Sequence, residues 1–78
     1  MTDHPGGIER LVAMANDIAN YFHSEPDRQL AVAGIADHIT RFWEPRMRRK
    51  IIAHLGDRHG EGLNELAREA VARLPAPP

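Results

Sequence analysis

A chain of 78 residues buries only about 60% of the surface its unfolded form exposes, so it has room for one small core of limited stability. It contains no cysteine, which excludes disulfides and the common thiolate zinc sites and leaves assembly with another chain as the remaining source of added stability. The formal net charge of −1 excludes strong overall attraction to polyanions, and no apolar run approaches the roughly 20 residues needed to span a bilayer.

The opening stretch, Met1-Thr2-Asp3-His4-Pro5-Gly6-Gly7, has neither the basic start nor the apolar run of a secretory signal. It reads as a flexible segment over residues 1–7 of a cytoplasmic chain. From Ile8 the apolar residues recur as Ile8, Leu11, Val12, Ala15, Ile18, Ala19 and Phe22, the spacing that puts one stripe on a helix. Ser24-Glu25-Pro26-Asp27 then breaks the helix. Proline disfavours helical geometry at Glu25, and either Asp27 or Ser24 can cap the next helix.

The second helix is predicted from about Asp27 or Arg28 to Trp43, with Val32, Ile35, Ile39, Phe42 and Trp43 on one side and Leu30, Asp37 and Arg41 nearly opposite. Gly34 within it costs about 1 kcal/mol relative to alanine; it is either a tolerated weak spot or a place where another element approaches closely. Pro45 suits the first turn of a new helix, so the chain bends near Glu44 and restarts. The third helix is expected over about Pro45 to Leu55, ending at Gly56 as a left-handed cap and followed by a polar loop, Asp57 to Gly62. A last helix, from Leu63 or Asn64 to Arg73, carries Leu63, Leu66, Ala67, Ala70, Val71 and Leu74 on one face, and the prolines of residues 75–78 end it in a tail. The fold class is all-α: a bundle of three or four short helices forming one domain over residues 8–74.

Reaction chemistry is hard to place on this pattern. His4, His23, His38, His54 and His59 fall on different elements, and no pair has the i, i+4 spacing of a helical zinc site. Asp37 points about 100° away from His38, which weakens a base-and-orienter pairing and leaves His38 as a boundary histidine. No serine or threonine has an evident histidine and carboxylate beside it, and Glu61, Glu65 and Glu69 read as a solvated helix face. Gly60-Glu61-Gly62 lacks the strand-loop-helix context of a phosphate loop. The chain is therefore expected to bind no metal or cofactor and to be no enzyme by itself.

Charge is the stronger signal. Arg41 to Lys50 carries five cations against Glu44, a local +4, which leaves −5 for the rest of the chain. Arg46, Arg49 and Lys50 project to one side of the third helix, whereas Arg48 falls among Ile51, Ile52 and Leu55. An arginine there snorkels outward, meets a carboxylate or carbonyl, or contacts a partner. Trp43 is either a core residue or a half-buried ring at the helix end, and Trp and Arg dominate binding hot spots.

Three blocks carry a family resemblance: Leu11-Val12-Ala13-Met14-Ala15-Asn16-Asp17-Ile18-Ala19-Asn20-Tyr21-Phe22; Gly34-Ile35-Ala36-Asp37-His38-Ile39 with Arg41-Phe42-Trp43-Glu44-Pro45-Arg46-Met47-Arg48; and, more weakly, Gly62-Leu63 with Leu66 and Ala70-Val71. Together they resemble the delta subunit of the NAD-dependent, molybdenum-containing formate dehydrogenases of bacteria over almost the whole chain. Asn64-Glu65 stands where that family has a small residue and a proline, which leaves the start of the last helix unsettled. The resemblance implies an accessory subunit of a cytoplasmic complex that oxidises formate to carbon dioxide and reduces NAD. It implies an alpha (catalytic) subunit as direct partner, with beta and gamma subunits beside it, and places bis-molybdopterin guanine dinucleotide, iron-sulfur clusters and FMN on those larger chains. The delta chain is then a stabiliser of the alpha subunit, with a role in molybdenum cofactor insertion or sulfuration as an extension, and the docking surface falls on Phe42, Trp43, Pro45, Arg46, Arg48 and Arg49. Two alternatives stay open: a small nucleic-acid-binding module built on the helix pair around Pro45, for which a footprint of five cations is thin, and a transient assembly chaperone.

Overall fold

Four amphipathic segments become four helices in the computed structural model, which describes residues 7–77: α1 (Ile8–Tyr21), α2 (Arg28–Phe42), α3 (Pro45–Arg58) and α4 (Glu65–Ala72). No strand occurs among the described residues. Met1 to Gly6, which make up most of the expected N-terminal segment, and Pro78 lie outside them. The all-α bundle read from the periodicity is the fold found.

Helix α1 buries Leu11, Ala15 and Ala19 completely and half-buries Ile8, Val12, Ile18 and Phe22, so its stripe faces inward along its whole length. Of the two candidate caps for α2, Asp27 is used: its Oδ1 accepts from the N–H groups of Gln29 at 2.9 Å and Leu30 at 3.3 Å. Helix α2 then sends Ala31, Val32, Ile35 and Ile39 into the core and leaves Leu30, Asp37 and Arg41 exposed, as their angular positions require. Gly34 proves to be a place of close approach, since a Cβ there would lie 2.5 Å from Cε1 of Phe22. The ring of Phe22, at the end of α1, rests directly on the α2 backbone.

One helix end and one side-chain burial differ from expectation. Helix α3 does not stop at Gly56 but runs to Arg58, and its cap is His59, in the left-handed conformation at φ 57° and ψ 25°. Gly56 sits within the helix with open space where a Cβ would be, so nothing there compels a turn. What ends the helix is the pair His59-Gly60: the N–H of Gly60 donates to the carbonyl of His54 at 3.2 Å, and buried Gly60 is wedged against Leu55 and Leu63. The second correction is Phe42, placed on the apolar side of α2 by its spacing but 69% exposed. It is the last residue of its helix and lies at the edge of the stripe. The following residue, Trp43, takes the inward position.

Helix α2 packs most extensively on α4, and α1 touches all three other helices, whereas α2 and α3 barely meet although only two residues join them. The largest fully buried core side chains are Val32, Ile35, Ile39, Ile51 and Val71, with small alanines between them. A polar tie closes the far end. Asn16 Nδ2 donates to the carbonyl of Gly62, and its Oδ1 accepts from the N–H of Asn64, both at 2.9 Å. Asn64 in turn caps α4, its Oδ1 accepting from the N–H of Ala67 at 2.8 Å. That settles the start of α4: asparagine does the capping, and Glu65 follows favourably in the first turn.

Asn16→Ala leaves the part-buried Asn64 N–H and the Gly62 carbonyl without these partners, a cost of about 1–3 kcal/mol. In a domain of this size that lowers the thermal midpoint by roughly 10 °C, to be read by circular dichroism melting. Gly34→Ala should also destabilise, because displacing the Phe22 ring outweighs the gain in helix propensity; a raised midpoint in the same melt contradicts the close packing of Phe22 on Gly34.

Candidate functional site: a cationic elbow at Pro45

The elbow consists of Trp43 and Glu44, both in extended conformation at φ −87°, ψ 140° and φ −67°, ψ 155°. Proline disfavours helical geometry in the residue before it, which accounts for Glu44, and Pro45 then occupies the first helical position, where its missing N–H costs nothing. The chain leaves α2, takes two extended residues and re-enters helix as α3. The N–H of Trp43 still donates to Ile39 at 3.0 Å, and the Glu44 carbonyl accepts from the N–H of Arg48 at 3.1 Å, so the elbow is bonded on both sides.

Trp43 lies inside the elbow. It is 4% exposed and belongs to the core. Arg48 is also turned inward: its Nη1 donates to the carbonyl of Trp43 at 2.6 Å and to that of Thr40 at 3.3 Å. These carbonyls belong to the end of α2, where backbone acceptors are left over and the helix dipole favours a cation. Of the readings open for an arginine among apolar residues, contact with carbonyls is the one realised. Its Nε is buried without a partner, so part of the gain from the cap is offset by desolvation.

The outer side is formed by Phe42, Pro45, Arg46 and Arg49, all exposed. The Phe42 ring lies 4.8 Å from that of His38, tilted by 44°, which gives it a preferred orientation although solvent reaches most of it. Arg41 is paired with Asp37 at 3.0 Å within α2, and both side chains are well exposed, so the pair adds little to stability. Arg46 has no ion pair among the described residues. Of the six residues singled out from the sequence, four form the outer surface and two, Trp43 and Arg48, support it from behind.

Elsewhere the histidines do separate things. His23 is exposed, His54 Nε2 lies 2.7 Å from the carbonyl of Glu61, and His59 caps α3. Among the described residues there is no group of three His, Asp or Glu placed to hold a metal ion, and no helix is long and apolar enough to cross a membrane. A groove of about 580 Å³ lies between the α1–α2 turn and the start of α4, bordered by His23, Glu25, Arg28 and Glu65. Its arginine is engaged by Glu69 at 2.9 Å. Sequence reasoning missed the Asn16 tie and the exposure of Tyr21. The signal for the first was present: an asparagine in mid-helix forgoes helix propensity and needs a reason.

Fold and surface together define a small helical bundle whose distinctive feature is an aromatic-edged cationic elbow. The family model described as NADH-dependant formate dehydrogenase delta subunit FdsD matches residues 10–71, and the chain belongs to that family. No curated protein and no solved structure matches it. The elbow and the Asn16 tie both lie within the matched residues.

The division between the inside and outside of the elbow is measurable. Trp43→Ala removes a fully packed ring and should cost about 3–5 kcal/mol, a large part of the stability of so small a domain. Phe42→Ala should stay within about 0.5 kcal/mol. Urea unfolding of the two variants distinguishes them; equal losses contradict the assignment.

Proposed function

We propose that the chain is a non-catalytic accessory subunit that docks through Phe42, Pro45, Arg46 and Arg49 onto the catalytic alpha subunit of a formate dehydrogenase complex and stabilises it. The observation that carries this reading is that Phe42, a large exposed aromatic ring, and Arg46, an exposed arginine with no ion pair among the described residues, stand on either side of an elbow backed by Trp43 and Arg48. Aromatic rings and arginines supply most hot-spot energy in protein interfaces, and a fixed support lowers the ordering cost of binding. Membership of the delta subunit family supports the rest, because a delta subunit implies other subunits. The molybdenum cofactor, iron-sulfur clusters and FMN belong, in this reading, to those larger chains.

The nucleic-acid alternative loses ground on the same geometry. Arg48 is spent on carbonyls and Arg41 on Asp37, which thins an already small cationic footprint. No observation favours a direct part in cofactor insertion or sulfuration over stabilisation of the partner.

The test is co-purification of a tagged chain from its native cell. Phe42→Ala and Arg46→Ala should each weaken recovery of the catalytic subunit by about ten-fold, the equivalent of about 1.4 kcal/mol, and lower formate-dependent NAD reduction in extracts in proportion. Unchanged recovery and activity in both variants refute docking through the elbow. A chain that is recovered only with immature enzyme, and is absent from the active complex on size exclusion, is a transient chaperone instead of a resident subunit.

A further inference from the structure

The exposed cations of the elbow sit where they weaken their own helix. Arg46, Arg49 and Lys50 follow at i, i+3 and i+4 on α3, so all three share one exposed face, and like charges at that spacing repel one another. Arg46 also stands in the first turn, at the end of the helix where the dipole favours an anion. The other helices answer that end: Asp27 caps α2, Asn64 caps α4 with Glu65 behind it, and α1 has Glu9 in its first turn. Helix α3 has no acid in its first turn, and Glu44, at its cap position, makes no side-chain cap bond.

Little within the chain relieves this. Arg41 is matched by Asp37 and Arg48 by carbonyls, but Arg46 has no ion pair among the described residues. Glu44 offsets one charge, so Arg46, Arg49 and Lys50 against Glu44 leave an excess of two. Across the elbow stands the 69% exposed ring of Phe42. Local choices that oppose the fold mark positions kept for another purpose, and here the opposing charges lie next to an exposed aromatic residue.

We infer that the surface of the catalytic subunit met by the elbow is acidic, with a carboxylate set against Arg46 and an apolar hollow beside it for Phe42. This rests on the docking proposed above and adds the chemistry of the partner. A carboxylate accepts two parallel N–H bonds from a guanidinium, which a planar fork offers and a bare point charge does not. Placed there, it answers the repulsion within the cationic face and the unanswered end of α3 together. The partner then does for α3 what Asp27 does for α2. A polyanion meets Glu44 as well and is repelled by it, whereas separate carboxylates on a protein surface can stand clear of it. The elbow is thus suited to one acidic protein surface, and the free chain carries the cost of that suitability as lost stability in α3.

Two measurements on the full chain test this, and Arg46→Glu is expected to move them in opposite directions. The tagged chain is recovered from nuclease-treated extract of its native cell and washed with NaCl from about 50 to about 500 mM, over which the retained catalytic subunit should fall about ten-fold. Arg46→Glu should lower recovery about a hundred-fold at the lowest salt, because it sets like charges against each other. Phe42→Ala should lower recovery at every salt and leave the salt dependence as it was. In the free chain, Arg46→Glu should raise the thermal midpoint by about 5 °C, since it puts an acid in the first turn of α3 and removes a repelling cation. Recovery indifferent to salt, recovery undiminished in Arg46→Glu, or recovery that disappears with the nuclease overturns the inference. So does a lowered midpoint in Arg46→Glu, which means that Arg46 serves its own fold. If any of these results comes with loss of the catalytic subunit in Phe42→Ala, docking through the elbow stands and only the acidic surface is wrong. If neither substitution lowers recovery, the docking falls as well.

Discussion

The cationic elbow depends on how the carbonyl end of α2 is held. Helices α2 and α3 barely touch, so packing along their lengths cannot fix the angle between them. Both helices pack on α1 and α4, and at the elbow itself the guanidinium of Arg48 reaches back to the carbonyls of Trp43 and Thr40 while the Trp43 ring fills the end of the core. Charge meets dipole in this contact, and a part-buried hydrogen bond to a charged group contributes about 1.5–3 kcal/mol. Pro45 alone would make a bend; Arg48 and Trp43 give it one direction.

This arrangement also divides the cations of the segment into two kinds. Arg48 works within the chain, Arg41 is balanced by Asp37, and Arg46 is presented outward. A local excess of charge along the sequence is thus a smaller excess at the surface, where Arg46, Arg49 and Lys50 are exposed. Such a patch favours recognition of a specific protein surface over diffuse attraction to a polyanion. It fits the docking proposed above for a chain that belongs to the formate dehydrogenase delta subunit family.

Helical periodicity made most of the fold legible. The stripe of α1, the exposed positions Leu30, Asp37 and Arg41, the presence of a capping residue before α2 and the bend before Pro45 all follow from local rules, because each depends on residues within one or two turns. What stayed hidden was decided across the fold. Gly56 is an acceptable cap in sequence, but the helix passes it to reach His59-Gly60, where Leu55 and Leu63 wait to pack. Phe42 and Trp43 fall at opposite edges of the stripe, about 100° apart, and only the extended elbow decides which turns inward. The elbow itself was legible as an aromatic and cationic concentration. The inward roles of Trp43 and Arg48 were among the readings left open, and the groups brought together by the bend decide them.

The tie through Asn16 bears on how the chain is made. Its partners, Gly62 and Asn64, lie 46 and 48 residues downstream, so during synthesis α1 emerges with this asparagine unanswered. At about 5–20 residues per second, several seconds pass before the answering loop is available. The bundle cannot close from its N-terminal half alone. Its completion is a late, chain-wide event, and an incomplete copy keeps both halves of its polar latch open.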